Sequence, residues 1–277
     1  MKRRDLLAAT GLGVGGSAVA WYFLRDTASA AVEHPGTLDA TFATNGDYPG
    51  DDDPADGFPP TFPDPPASPD VDPSTFETND TNGESIPLVP IDVVEKWHRR
   101  GEARFVDARG VSDYENAHIY GAVSSSAESG STGGGIEGWS TDARIVTYCG
   151  CPHHLSSMRA AGLMKEGYSR VYALDEGFGP WRNRGYPMAG TAFTNGGSAD
   201  VREWTLEGSV DQQYAGEYAW ARAEGSQEAA PIRENGGFTL VVKFADVTGK
   251  TPVEVSTPEF SVTRPLDDLA AGTIDGT

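Results

Sequence analysis

An α/β domain on a largely parallel sheet, followed by a small all-β, sandwich-like unit, is the fold class that this 277-residue sequence predicts. Three observations predict it. Between residues 86 and 190, short β-type runs alternate with helical stretches, the pattern of successive βα units. From residue 191 the alternation stops, and runs rich in Val, Phe, Thr, Tyr and Trp follow one another between Gly, Pro and Asn. Before residue 86 the composition cannot build a core. Residues 31–85 hold no Lys or Arg, 13 Asp and Glu, and 10 of the 19 prolines, which predicts a disordered acidic linker.

The chain opens with Lys2-Arg3-Arg4 ahead of a mildly apolar, Gly- and Ala-rich run that reaches Leu24. Ala28-Ser29-Ala30 fits a small-residue cleavage site. Residues 1–30 therefore read as a twin-arginine-type export signal, or as a membrane anchor if uncut. The protein is expected outside the cytoplasm, secreted or membrane-anchored. The net charge of −20 argues against nucleic acid as a partner, since that needs a basic face. Arg outnumbers Lys 16 to 5, and with so acidic a surface the balance resembles that of proteins from salt-loving microbes.

The first folded unit begins at Ile86. Asp92 is placed to cap a helix carrying Val93, Val94 and Trp97 that ends at Gly101. A strand over 103–106 ends at Asp107. A polar helical stretch with Tyr114, a turn at 118–122 and a Ser/Gly-rich loop over 124–135 come next. A strand over 145–148 leads into Cys149-Gly150-Cys151-Pro152-His153-His154. The following helix is expected from about Ser157 to Glu166, with Ala160, Ala161, Leu163 and Met164 toward the core and Gly167 as its stop. A strand over 170–174 completes the unit. In residues 191–277, strands are expected at 201–210, 216–223, 237–246, 251–256 and 258–264, with no amphipathic helix. Trp204, Tyr214, Tyr218 and Trp220 serve either as core or as a binding face, and what the β unit binds is not legible.

Cys149 and Cys151 are the only cysteines. A thiol at a strand end, facing the amino end of a helix, sits in a field that favours thiolate. Export usually suggests a disulfide, but a bridge across Cys-x-Cys is strained and easily reduced, so the pair reads as chemical.

Residues 86–190 resemble a single rhodanese (sulfurtransferase) domain. The resemblance rests on motifs in the family's order: Phe105-Val106-Asp107-Ala108-Arg109; Tyr114 through His118-Ile119-Tyr120-Gly121-Ala122; Ile145 to Cys149; Val171 through Leu174, Gly177 and Trp181; and Gly185-Tyr186-Pro187. It implies sulfur transfer through a cysteine persulfide, from a small thiosulfate-like donor to a thiol or cyanide acceptor, with no cofactor. The chemistry needs a depressed thiol pKa and backbone N–H groups aimed at the sulfur.

The loop departs from the family pattern of six residues from the cysteine to the small residue opening the helix. Aligned on the strand, Cys149 is the nucleophile; aligned on the helix, Cys151 is. Pro152 removes an amide directly after Cys151, which favours Cys149, with Cys151 as resolving thiol or second nucleophile. His153, His154, Ser156, Ser157 and Arg159 are the candidate substrate-binding residues. Asp107, Arg109 and His118 are supporting residues, the first two as a structural pair and His118, with Tyr114, as organiser of the turn. No metal is assigned. A phosphatase is excluded because neither cysteine is followed by the arginine of a Cys-x5-Arg clamp. Two alternatives stay open. One is a non-catalytic exported rhodanese scaffold. The other is a metal or redox binder using Cys149, Cys151, His153 and His154.

Overall fold

The Asn82-Gly83 pair builds the first hairpin of the described residues. Both residues have positive φ, 53° and 83°, which is the backbone a two-residue hairpin turn requires and which Asn-Gly supplies at least cost. The turn joins β1 (Thr78–Thr81) to β2 (Glu84–Val89) as an antiparallel pair. Residues 78–85, placed by composition in the linker expected over 31–85, belong to this hairpin. A polar strand such as Thr-Asn-Asp-Thr carries no apolar alternation, so only its turn marks it. The structure, a computed structural model, describes residues 65–127, 135–194 and 201–276. The export signal over 1–30, the first part of the linker and the middle of the Ser/Gly loop lie outside the described residues.

The α/β half continues with α1 (Ile91–Arg99), β3 (Arg104–Asp107), α2 (Val111–Asn116), β4 (His118–Ile119), β5 (Val123–Ser124) and β6 (Arg144–Tyr148). Then come α3 (His154–Lys165), β7 (Arg170–Leu174), α4 (Phe178–Asn183), β8 (Met188–Ala189) and the short α5 (Thr191–Thr194). The sheet order is β1-β2-β7-β6-β3-β5. Every pairing inside it is parallel except the β1–β2 edge. β6 is therefore a central strand, and its residues Ile145 to Tyr148 are fully buried. A continuous apolar run is what a strand covered on both faces needs. One face packs on Trp97, Phe105, Tyr148 and Trp181, the other on Ile136, Ala160, Ala161 and Leu163.

The β half comprises β9 (Trp204–Ser209), β10 (Tyr218–Ala223), β11 (Ser226–Pro231), β12 (Gly237–Val242), β13 (Pro252–Ser256), β14 (Ser261–Pro265), α6 (Leu266–Ala270) and β15 (Thr273–Ile274). They form two sheets, β11-β10-β13-β14 and β12-β9-β15. Leu206, Ala221, Leu240, Val253 and Val255 meet in one core between them, the arrangement of a sandwich. The five expected strands are present. β11, α6 and β15 are additional. Ser226-Gln227-Glu228-Ala229-Ala230-Pro231 is polar at one end and Ala-rich at the other, so neither propensity nor a two-residue period reveals it as a strand.

β11 and the chain just before it and after β12 dock the two halves together. Ser112 donates to the Glu224 carbonyl, Gln227 Nε2 donates to Ser126 Oγ at 2.6 Å, and the Ala245 amide donates to Asp113 Oδ1 at 2.8 Å. Gly110 is required here: a Cβ on it would stand 2.6 Å from the Ser226 Cα. α3 is consequently covered on both sides, by the parallel sheet and by β11. That explains why Leu155, Ser156, Ser157, Arg159, Ala160, Ala161 and Leu163 are all buried on a helix with little amphipathic pattern.

Candidate active site

The site is built where β6 ends and α3 begins. Thr147 Oγ1 donates to the Ser156 carbonyl at 2.8 Å and so ties the strand end to the first turn of the helix. The chain between them turns through His153, whose φ of 68° lies in the left-handed region. α3 thereby starts at His154, three residues before the expected Ser157. This shortening brings the amino end of the helix onto Cys149. The Cys149 Sγ lies 3.4 Å from Ser156 Oγ and 2.7 Å from the Cys151 carbonyl oxygen, and the residue is fully buried. Gly177, at φ 75°, closes the loop from the other side. A Cβ there would stand 3.2 Å from the Cys149 carbonyl and 3.3 Å from that of Cys151, and the Phe178 amide donates to the Cys149 carbonyl at 2.9 Å.

The electrostatics separate the two thiols. Burial alone pushes the Cys149 thiol up. Hydrogen bonds from the Cys151 thiol and from the hydroxyl and amide of Ser156, with the charge of His153, outweigh it and bring the group down to about 6. The Cys151 carbonyl works the other way, because it accepts the Cys149 proton in the thiol form. Cys151 is pushed well up, first by its hydrogen bond to Cys149 and then by burial and by the nearby Glu228 charge.

Around them, the expected residues divide. His153 turns from the sulfur to Asp175, with Nε2 at 2.6 Å from the carbonyl and 2.8 Å from Oδ1. Burial works against its charge, but the Asp175 contacts prevail and raise its pKa. His154 points at Cys151, with Nδ1 3.5 Å from Sγ. Burial and then the charge of His153 depress it to about 4. Ser157 faces away from Cys149 and accepts from Asn79 Nδ2 at 2.9 Å. Arg159 Nε donates to Ser125 Oγ at 3.0 Å, and its guanidinium pairs with Glu166 at 3.5 Å, partners that belong to the fold and not to the cysteine loop. The Cys149, Cys151, His153, His154 grouping weighed as a metal set is thus not assembled, because His153 is committed to Asp175.

Asp107 and Arg109 form the expected buried pair at 2.7 Å. Arg109 also donates to the Ala117 carbonyl at 2.6 Å and lies 4.2 Å over the Phe178 ring. Its Cδ is 3.7 Å from where a Gly150 Cβ would stand, so the pair buttresses the loop. His118 accepts or donates at the Tyr114 carbonyl, 2.7 Å away, and stacks on the Tyr114 ring at 3.9 Å, as the turn requires.

Residues 91–184 match the sequence model of the rhodanese-like domain family. They are a rhodanese-like domain. Solved structures similar to the chain include a protein from Bacillus halodurans, 25% identical with a TM-score of 0.35, over 38% of this chain and 77% of that one. Another is the rhodanese-like domain of an Anabaena protein, 21% identical with a TM-score of 0.35, over 42% of this chain and 89% of that one. A third is thiosulfate sulfurtransferase from Pseudomonas aeruginosa, 25% identical with a TM-score of 0.33, over 38% of this chain but 20% of that one.

The cover of the cysteine loop comes from outside the rhodanese-like domain. Ala229 of β11 packs with Ala108, Cys149, Cys151 and Leu155, and Met158, Tyr218 and Trp220 close around them. Glu228 is 4% exposed, and its carboxylate faces the cysteine loop, 4.0 Å from where a Gly150 Cβ would stand. Burial first, and then the charge of Cys149, push Glu228 well above the usual carboxylate range. No local motif announces Glu228; only the docking of β11 places it there.

Proposed function

We propose that the protein is a rhodanese-type sulfurtransferase with Cys149 as its nucleophile. The observation that carries this reading is the position of Cys149: it closes the central strand, and its sulfur lies against the first turn of α3, beside the Ser156 hydroxyl. The Cys149 thiolate attacks the outer sulfur of a thiosulfate-like donor, forming a new S–S bond while sulfite leaves with the electron pair. An acceptor thiolate or cyanide then attacks the outer sulfur of the persulfide and returns Cys149 as thiolate. Ser156 and the amides of the first helical turn stabilise the charge on the terminal sulfur. Arg109 and Asp107 hold the loop. We extend the proposal to an exported protein, from the paired arginines and mildly apolar run of residues 1–30.

Intact-mass measurement after thiosulfate treatment tests the proposal. The full chain and Cys151→Ser are expected to gain the mass of one sulfur, and Cys149→Ser none. No gain in the unaltered protein, or the same gain in both variants, overturns it.

One observation favours a second reading, a non-catalytic scaffold. Cys149 is fully buried, with Ala229 of β11 among the residues packed on it, so a donor reaches it only when part of this cover moves. Thiocyanate release from cyanide and thiosulfate separates the two: turnover supports the transferase, and its absence in a protein that binds thiosulfate supports the scaffold.

A further inference from the structure

Glu228 is a buried carboxylate with no basic partner among the described residues. Its one hydrogen bond from the backbone comes from the Ala229 amide to Oε1 at 2.9 Å, and no Lys or Arg pairs with it. A carboxyl group buried in that position either holds its proton or meets a cation. The groups facing it are a thiol and an imidazole. One ligand atom from each of Cys151, His154 and Glu228 lies within 4.8 Å of the others. Cys151 Sγ and His154 Nδ1 are 3.5 Å apart. Bonds of about 2.3 Å to sulfur and about 2.0–2.1 Å to nitrogen, at tetrahedral angles, put those two donors roughly 3.5 Å apart. The pair is already at the spacing of a zinc edge, and a rotation of the Glu228 side chain closes the remainder.

The geometry points to a site for a zinc-type divalent cation formed by Cys151, His154 and Glu228. Three features support it beyond proximity. The donor set of one thiolate, one imidazole and one carboxylate suits a borderline-soft dication such as Zn²⁺, and suits Mg²⁺ or Ca²⁺ poorly. The charges balance: a thiolate and a carboxylate neutralise a dication, with the imidazole neutral, so the loaded site carries no net charge into the interior. The protons held by the Cys151 thiol and the Glu228 carboxyl leave to solvent as the metal bonds form, and nothing is oxidised or reduced. The ligands also come from three places, the cysteine loop, the first residue of α3, and β11 on the other half. A bound ion would therefore clamp β11 over the loop, and would leave Cys149 out of the coordination. The two cysteines then have separate tasks, Cys149 with sulfur and Cys151 with metal. This site does not depend on the sulfur-transfer reading, and either stands if the other fails.

Titration of the full chain, prepared free of metal and reduced, tests the site with Zn²⁺ alone and with Co²⁺ as the spectroscopic probe. One equivalent of Zn²⁺ per chain is expected to bind. Co²⁺ is expected to give tetrahedral ligand-field bands together with a thiolate-to-metal charge-transfer band. Cys149→Ser keeps the stoichiometry and that band. Cys151→Ser loses the band, and Glu228→Gln, which preserves shape, weakens binding by at least the roughly 100-fold that loss of even an outer partner can cost. No stoichiometric binding by the unaltered protein overturns the site, as does a charge-transfer band that disappears with Cys149→Ser and survives Cys151→Ser. If Cys151→Ser does not fold, Glu228→Gln and Cys149→Ser decide the matter by themselves.

Discussion

The two halves of the molecule solve different problems with different sheets. The α/β half uses parallel strands, and parallel strands put successive loops at one end of the sheet. That is how β6 delivers Cys149 to the amino end of α3. The β half uses antiparallel strands with one buried face each, and its contribution is a surface. β11 lays Ala229, Gln227 and Glu228 over the loop that the other half built. A reactive loop and its cover are thus encoded far apart in the chain. Covering raises the cost of charge at Cys149 while Ser156 and Cys151 lower it, so the thiol's character is set jointly by both halves.

If the halves are one cooperative body, damage to either core must appear in the same transition. Trp181, fully buried among Phe105, His98 and Tyr186, and Phe238, at 1% exposure in the sandwich core, test this. Trp181→Ala and Phe238→Ala are each expected to cost about 3–5 kcal/mol and to shift a single urea transition followed by circular dichroism. Two transitions, each sensitive to one variant, would show that docking by β11 is too weak to couple the halves.

Two buried groups, one in the α/β core and one at the junction, are expected to respond in opposite directions over the same acid range. His98 is buried in the α/β core with Nε2 at 2.7 Å from the Tyr120 carbonyl, and burial lowers its pKa from 6.5 to about 4. Its neutral form contributes stability that is present above about 6.5 and lost as pH falls through about 4. Asp113, at the junction, is raised by burial from 3.8 to about 6, against the pull of Arg109 and the Ala245 amide. Its contribution is fully present below 3.8 and lost as pH rises through about 6. Each effect is on the order of 3 kcal/mol at most. Asp113→Asn is expected to remove the fall in stability as pH rises from about 3.8 to about 6 and to leave the opposite change of His98 in place, measured by urea unfolding from pH 4 to 8. A profile unchanged by Asp113→Asn would remove Asp113 from the junction's pH response.

The same division governs what can be read from sequence. The α/β half was legible because its elements announce themselves locally: an apolar run for β6, Gly167 after α3, the Asp107-x-Arg109 pair at a strand end. The β half's strands were legible as strands, except β11, whose Ser226-Gln227-Glu228 start looks like a loop. β1 was hidden in a tract whose average composition denies it structure, and only the Asn82-Gly83 turn contradicts that average. α3 starts three residues before the position its sequence predicts, because His153 turns the chain with a left-handed backbone that no local pattern marks. At the site, Cys149 and Ser156 were legible from strand-loop-helix order. The destinations of His153, Ser157 and Arg159 were not, since each is set by a partner distant in sequence: Asp175, Asn79 and Ser125.

Packing at the junction gives a smaller effect that reports directly on the cover. Gly110→Ala places a methyl against the Gly225–Ser226 backbone, which cannot yield without moving β11. The expected cost is about 1–3 kcal/mol, and alkylation of Cys149 by iodoacetamide, followed by mass spectrometry, should quicken because the cover opens more often. Stability loss without faster alkylation would mean that β11 is not what shields the thiol.

Gln227 is the mildest probe, because its hydrogen bond to Ser126 crosses the junction without touching the core. Gln227→Ala removes one neutral hydrogen bond, worth about 1 kcal/mol, and leaves the Gly110 contact and Asp113 intact. If cover and loop are coupled through several independent contacts, the variant should lose that much stability in urea and alkylate at Cys149 only slightly faster than the unaltered chain. If instead alkylation rises as steeply as in Gly110→Ala, the Gln227–Ser126 bond is the latch, and the closure of β11 rests on one hydrogen bond at the edge of the site rather than on its packing.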